Sequence, residues 1–169
     1  AAAMLGWLLI EKLKAGHATT LGAVSGAVAG LVAITPCAGF VSTSSALLIG
    51  LAAGVICYLS LALKNRFGFD DSLDVTAVHL IGGLLGSLLL GLFSDTTINS
   101  LGADGLFNGG GSSLLGKQLL ASGAVLAFSF GVTYIVAIII NKTMGLRVTH
   151  DEEMVGLDQS QHAETAYQV

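Results

Sequence analysis

The chain has 169 residues, of which 53% are apolar and only 11% charged, with a mean hydropathy of +0.81 and a formal net charge of −4. Soluble domains carry roughly 25% charged residues, so this composition excludes an ordinary water-exposed globule. With no basic patch to neutralise phosphates, it also excludes nucleic acid as a partner.

The chain opens on Ala1, Ala2, Ala3 and Met4 inside an apolar run with no basic leader. That is not the pattern of a signal peptide, and residues 1–10 are expected to be half of a membrane helix, the cut end of a longer protein. Four apolar stretches follow, at 17–35, 45–63, 73–93 and 119–140. Each approaches the roughly 20 helical residues that a bilayer core of about 30 Å requires. None has an Asp, Glu, Lys or Arg in its central part. The stretches are too long for strands and lack alternation. The predicted fold is therefore an all-α membrane protein, a polytopic helical bundle.

Glycines repeat at intervals of four: Gly22, Gly26 and Gly30, then Gly50 and Gly54, then Gly82 and Gly86. Small residues at this spacing let membrane helices approach closely, so a dense bundle is expected. Charge sets the orientation. Lys12 and Lys14, Lys64 and Arg66, and Lys142 and Arg147 fall in links that share one side if the helices alternate; only Lys117 of the seven basic residues lies near the other side. The positive-inside rule makes the basic side cytoplasmic. Residues 1–148 form the membrane domain on this reading, and 149–169 an acidic cytoplasmic tail. Cys37 is placed in an outer link and Cys57 in mid-helix, depths too different for a bridge.

His79 is the residue that invites a functional reading. It follows the last acid, Asp74, by five residues in the stretch 70–83, which places it roughly 8 Å into the apolar layer at about 1.5 Å per residue. An ionisable group there needs a cavity or a partner. Neutral imidazole offers one donor and one acceptor; a core histidine bonded to a neighbouring helix is the competing explanation. No metal-ligand spacing, phosphate loop or nucleophile elbow is present, and neither an enzyme nor a cofactor is expected.

The stretch Asp70-Asp71-Ser72-Leu73-Asp74-Val75-Thr76-Ala77-Val78-His79-Leu80-Ile81-Gly82-Gly83 resembles the ammonium transporter (Amt/MEP/Rh) family. So do Val28 to Pro36 and the tail residues Gly156, Leu157, Asp158, His162, Glu164, Ala166 and Tyr167. The motifs stand in family order and cover essentially the whole chain. The resemblance implies an eleven-helix fold with an inverted repeat, of which this chain holds about helices 7–11, and a homotrimer in the plasma or inner membrane with the C-terminus in the cytoplasm. It implies transport of ammonium or ammonia through an apolar pore with two facing histidines, His79 being one. Val75 matches a pore-lining position, and Ser25 and Thr35 match polar positions of the eighth helix; back-bonding or turn capping explains those two equally well. Asp71 is expected to cap the pore helix. Gly156, Asp158, His162, Glu164 and Tyr167 would form a regulatory tail, docking on the cytoplasmic face where a PII-type signal protein binds in many microbial members. The chain departs from the family at Thr76-Ala77, where Phe-Gly is common, at Leu80, and at Ala163, where the tail usually has glycine. The alternatives are an ammonium sensor and an Rh-like channel for another neutral gas.

Overall fold

In an apolar medium every backbone N–H and C=O must find a partner within the protein, which long apolar runs achieve by becoming helices. The computed structural model describes residues 1–165, and every regular element among them is helical. The chain divides into two compact units, Ala1–Ala124 and Val125–Val169.

The first unit contains α1 (Ala2–Ala15), α2 (Thr20–Ile34) with a 3₁₀ turn at Thr35–Cys37, α3 (Thr43–Ser60) and α4 (Ala62–Phe67). A π-helix at Thr76–Ile81 runs into α5 (Gly82–Phe93), and the beginning of α6 (Ser113–Thr143) closes the unit. Among the described residues, four segments are long and apolar enough to cross a membrane: Thr20–Cys37, Thr43–Phe67, Thr76–Phe93 and Ser113–Thr143. These are the four stretches read from hydropathy, with shifted ends. α1 does not stop at residue 10 as expected but continues to Ala15. Lys12 and Lys14 occupy its last turn, where cations meet the negative end of the helix, and Gly16 at φ 83° closes it.

The helices pack through small residues. α1 lies against α2 and α3, and both of those lie against α5. A Cβ on Gly26 would stand 2.6 Å from the Trp7 Cβ, and one on Gly30 would stand 2.6 Å from the Ala3 Cβ. At Gly54 and Gly86 the neighbour is backbone: the added carbon would fall 2.0 Å from the Ala3 carbonyl oxygen and 2.1 Å from that of Ala33. Only glycine permits these approaches. The buried core has two parts. Ala3, Ala33, Cys37, Ile49 and Ala53 form one cluster; Trp7, Ala29, Cys57 and Val78 form the other. The Cys37 thiol donates to the Gly86 carbonyl at 3.2 Å, and both cysteines are free.

At one end of this unit the links come together. Asp95 N–H donates to the Phe40 carbonyl at 2.8 Å, and Asp104 accepts the Thr96 N–H at 2.7 Å. At another place Lys14, Tyr58, Leu61, Ala62 and Asn65 line one cavity of about 250 Å³, so the first two basic links lie beside each other.

The second unit holds the remainder of α6, then α7 (His150–Val155) and α8 (Leu157–Ser160). Thr149 and Glu152 form a capping box: the hydroxyl accepts the Glu152 N–H and the carboxylate accepts the Thr149 N–H. These bonds, the Thr149 backbone N–H foremost and its hydroxyl next, hold the Glu152 carboxyl below its usual range. Gly156 at φ 100° separates α7 from α8, and Glu164 N–H closes a turn on the Asp158 carbonyl at 2.9 Å.

Candidate functional site

The polar end of the π-helix is built from three charged side chains of the first unit. Asp71 lies in the link after α4. Its two carboxylate oxygens accept the first free N–H groups of the next helix, Val75 at 2.8 Å and Thr76 at 2.8 Å. A negative charge is favourable there because four N–H groups at a helix start lack internal partners. The Thr76 N–H, more than any other neighbour, holds the Asp71 carboxyl below its ordinary value of 3.8.

Asp74 has a left-handed backbone, φ 56°, unusual for a residue other than glycine. Its carbonyl accepts the Val78 N–H at 2.9 Å, so it begins the helical ladder. Its carboxylate is paired with the Lys64 ammonium, which also donates to the Asp71 carbonyl at 3.3 Å. Lys64 comes from α4, so the entry to the π-helix is tied to the preceding element.

His79 sits inside the π-helical turn. Such wide turns insert one extra residue per hydrogen-bonded loop and recur at functional sites. The turn has two faces. Ala77 and Val78 are buried, Val78 against Trp7, Ala29 and Cys57. Val75 and His79 are exposed on the unit. The structure thus groups Asp71, Val75 and His79 on one short segment, with the imidazole outward and the aspartate fixing the start.

Ser25 and Thr35 lie elsewhere, on α2 and on the 3₁₀ turn that follows it. Ser25 is half-buried. The Thr35 hydroxyl donates to the Leu31 carbonyl at 2.6 Å, the back-bonding geometry of a helix-end threonine. In the tail, Gly156 and Asp158 are half-buried in the second unit, while His162 and Glu164 are exposed. Tyr167 and Ala166 lie outside the described residues. No group of His, Cys, Asp and Glu among the described residues could hold a metal ion.

Sequence reasoning missed three charged groups. Lys64 was read only as loop charge, and Asp74 only as the last acid before His79 and a member of the stretch 70–83. Glu11 was not singled out at all, yet its buried carboxylate accepts the Thr19 N–H at 3.1 Å and the Thr19 hydroxyl at 2.8 Å. Thr19 in turn caps α2 by accepting the Gly22 N–H at 2.8 Å. A Cβ on Gly22 would fall 2.2 Å from the Glu11 Oε2, so this glycine makes room for a carboxylate as well as a helix. The available signal was an acid one turn before the end of an apolar helix, eight residues before a threonine at the next helix start.

Known proteins share this arrangement of elements and sequence. The profile of the Ammonium Transporter Family matches residues 1–167. The ammonium transporter of Mycobacterium tuberculosis (strain H37Rv) is 51% identical over 172 residues, covering 99% of this chain and 36% of its own length. That of Bacillus subtilis (strain 168) is 47% identical over 169 residues, covering 99% of this chain and 42% of its own. The crystal structure of Candida albicans Mep2 superposes with a TM-score of 0.82 at 36% identity, over 95% of this chain and 37% of that one. A sensor Amt protein superposes with a TM-score of 0.83 at 27% identity, over 95% of this chain and 38% of its own. The chain therefore spans well under half the length of the proteins it matches. A family profile over 167 residues, four membrane-length helices and a shared helical arrangement lead to one conclusion: the chain belongs to the ammonium transporter family of multi-pass membrane proteins.

Proposed function

We propose that the protein carries ammonium or ammonia across a cell membrane through an apolar pore, with His79 as one of two histidines that face each other in it. The observation that carries this reading is the exposed imidazole on a π-helical turn whose start is held by Asp71. Ammonium reaching the outer mouth gives up a proton, and neutral ammonia passes along the apolar passage. A neutral imidazole accepts one hydrogen bond and donates another without adding fixed charge. Potassium has no proton to release and meets the full cost of entering an apolar medium. Val75 lines the passage beside His79, and Ser25 on α2 and Thr35 on the 3₁₀ turn after it contribute polar positions.

Three further parts belong to this reading. Links rich in Lys and Arg face the cytoplasm, and so does the tail, 149–169. Three copies assemble, each with its own pore. The tail residues Gly156, Asp158, His162, Glu164 and Tyr167 regulate conduction, with a PII-type signal protein as the partner. A second reading, an ammonium sensor, is favoured by the likeness to the sensor Amt protein.

The test is methylammonium uptake by the full-length protein in cells lacking their own ammonium transporters. Saturable uptake supports transport. Specific methylammonium binding without uptake would move the sensor reading ahead.

A further inference from the structure

We propose that Lys64 is a positioning residue for conduction: it holds the turn 71–74 so that the π-helix, and with it the His79 ring, stands in one place. The inference rests on His79 lining the passage. The argument is geometric. Lys64 grips the turn at two points, donating to the Asp71 carbonyl at 3.3 Å and pairing with the Asp74 carboxylate. Both of those residues set the helix start. Asp71 accepts the Val75 and Thr76 N–H groups, and the Asp74 carbonyl accepts the Val78 N–H at 2.9 Å, one residue before His79.

Asp74 holds a left-handed backbone, which Asp tolerates better than most residues with a Cβ but which still costs more than negative φ. The ion pair is the contact that holds its side chain. Released from Lys64, the residue gains by relaxing toward negative φ. That rotation carries the Asp74 carbonyl away from the Val78 N–H and unwinds the ladder under His79. Lys64 itself lies on α4, a short helix with no buried residue, joined to α3 through Leu61. A shift of α4 therefore reaches His79 through this lysine.

The experiment uses the full-length protein in cells without their own ammonium uptake, with surface amounts measured alongside. Lys64→Met removes the charge and keeps the apolar stem. Lys64→Arg keeps a cation and its donors. Asp74→Gly removes the carboxylate while leaving a residue at ease with positive φ, so it separates the ion pair from backbone strain. Methylammonium KM and Vmax and the potassium leak are measured for each.

The inference predicts that Lys64→Met lowers Vmax at least tenfold or raises potassium leak, with KM within twofold. Lys64→Arg restores at least half of the lost rate. Asp74→Gly falls between the wild type and Lys64→Met, and the double variant is no worse than Lys64→Met alone. Rate and selectivity within twofold of wild type in Lys64→Met overturn it, as does a double variant whose losses multiply. If Lys64→Met does not reach the membrane, Asp74→Gly decides: an unchanged Vmax and leak overturn the inference, and a threefold or greater loss supports it. His79→Ala run in parallel separates the two claims. Normal uptake there removes the pore reading itself, whereas a defective His79→Ala beside a normal Lys64→Met removes only the role of Lys64.

Discussion

At the scale of single residues, Asp71 shows how one side chain can fix a helix start. Its ionised form accepts two N–H groups that have no other partner, so protonation weakens the cap. Because the folded-state value lies below the ordinary 3.8, the contribution is complete above that value and is lost only as pH falls below it. Thermal unfolding of the purified full-length protein should therefore show a constant advantage of wild type over Asp71→Asn from neutral pH down to about 4. The gap then closes at lower pH. Ala163 offers a case of the opposite sign. It stands at φ 53°, where a Cβ costs about 1 kcal/mol, and glycine carries no such cost. Ala163→Gly is expected to slow hydrogen exchange at the Glu164 N–H by about fivefold; equal or faster exchange contradicts this. Asp71 could be read as a cap because acids before an apolar run mark helix starts, and it accepts the Val75 and Thr76 N–H groups. Lys64 and the left-handed Asp74 were not legible, since they depend on a pair ten residues apart that meets only after the link folds back.

Among the elements, glycine spacing and hydropathy carried most of the information. The repeats at Gly22, Gly26 and Gly30 and at Gly82 and Gly86 predicted close helix contact, and these glycines do meet neighbouring side chains and backbone. What the spacing did not reveal was which contacts are backbone to backbone. Gly54→Ala and Gly86→Ala each place a carbon about 2 Å from a carbonyl oxygen, so α1 or α2 must move outward. Overpacking of this kind costs about 1–3 kcal/mol. Each substitution should lower the melting temperature of the protein in detergent, and an unchanged midpoint in both would contradict the packing described. The interruption at Leu61 and the π-helical turn at Thr76–Ile81 had no local signal, for neither site carries proline or glycine. Between the two sites the Lys64 side chain ties α4 to the link before the π-helix. Likewise α1 outran its apolar stretch because helix-end electrostatics suit Lys12 and Lys14, a factor that hydropathy does not weigh.

For the whole molecule, membrane character and family were legible from composition and three ordered motifs. The exposure of His79 was not, because which face of a helix is covered depends on elements distant in sequence. α6 has no buried residue in this chain and carries exposed Phe128, Phe130, Ile135 and Ile139, the kind of face that lipid or a partner copy covers. The central claim, that His79 stands in the path of the substrate, is tested most directly in proteoliposomes containing the full-length protein. Methylammonium flux and potassium current are recorded for wild type and for His79→Ala at equal protein density. The account predicts that His79→Ala loses at least tenfold in methylammonium flux or in discrimination against potassium. Flux and discrimination equal to wild type would contradict it and leave His79 as a packing residue of the π-helical turn.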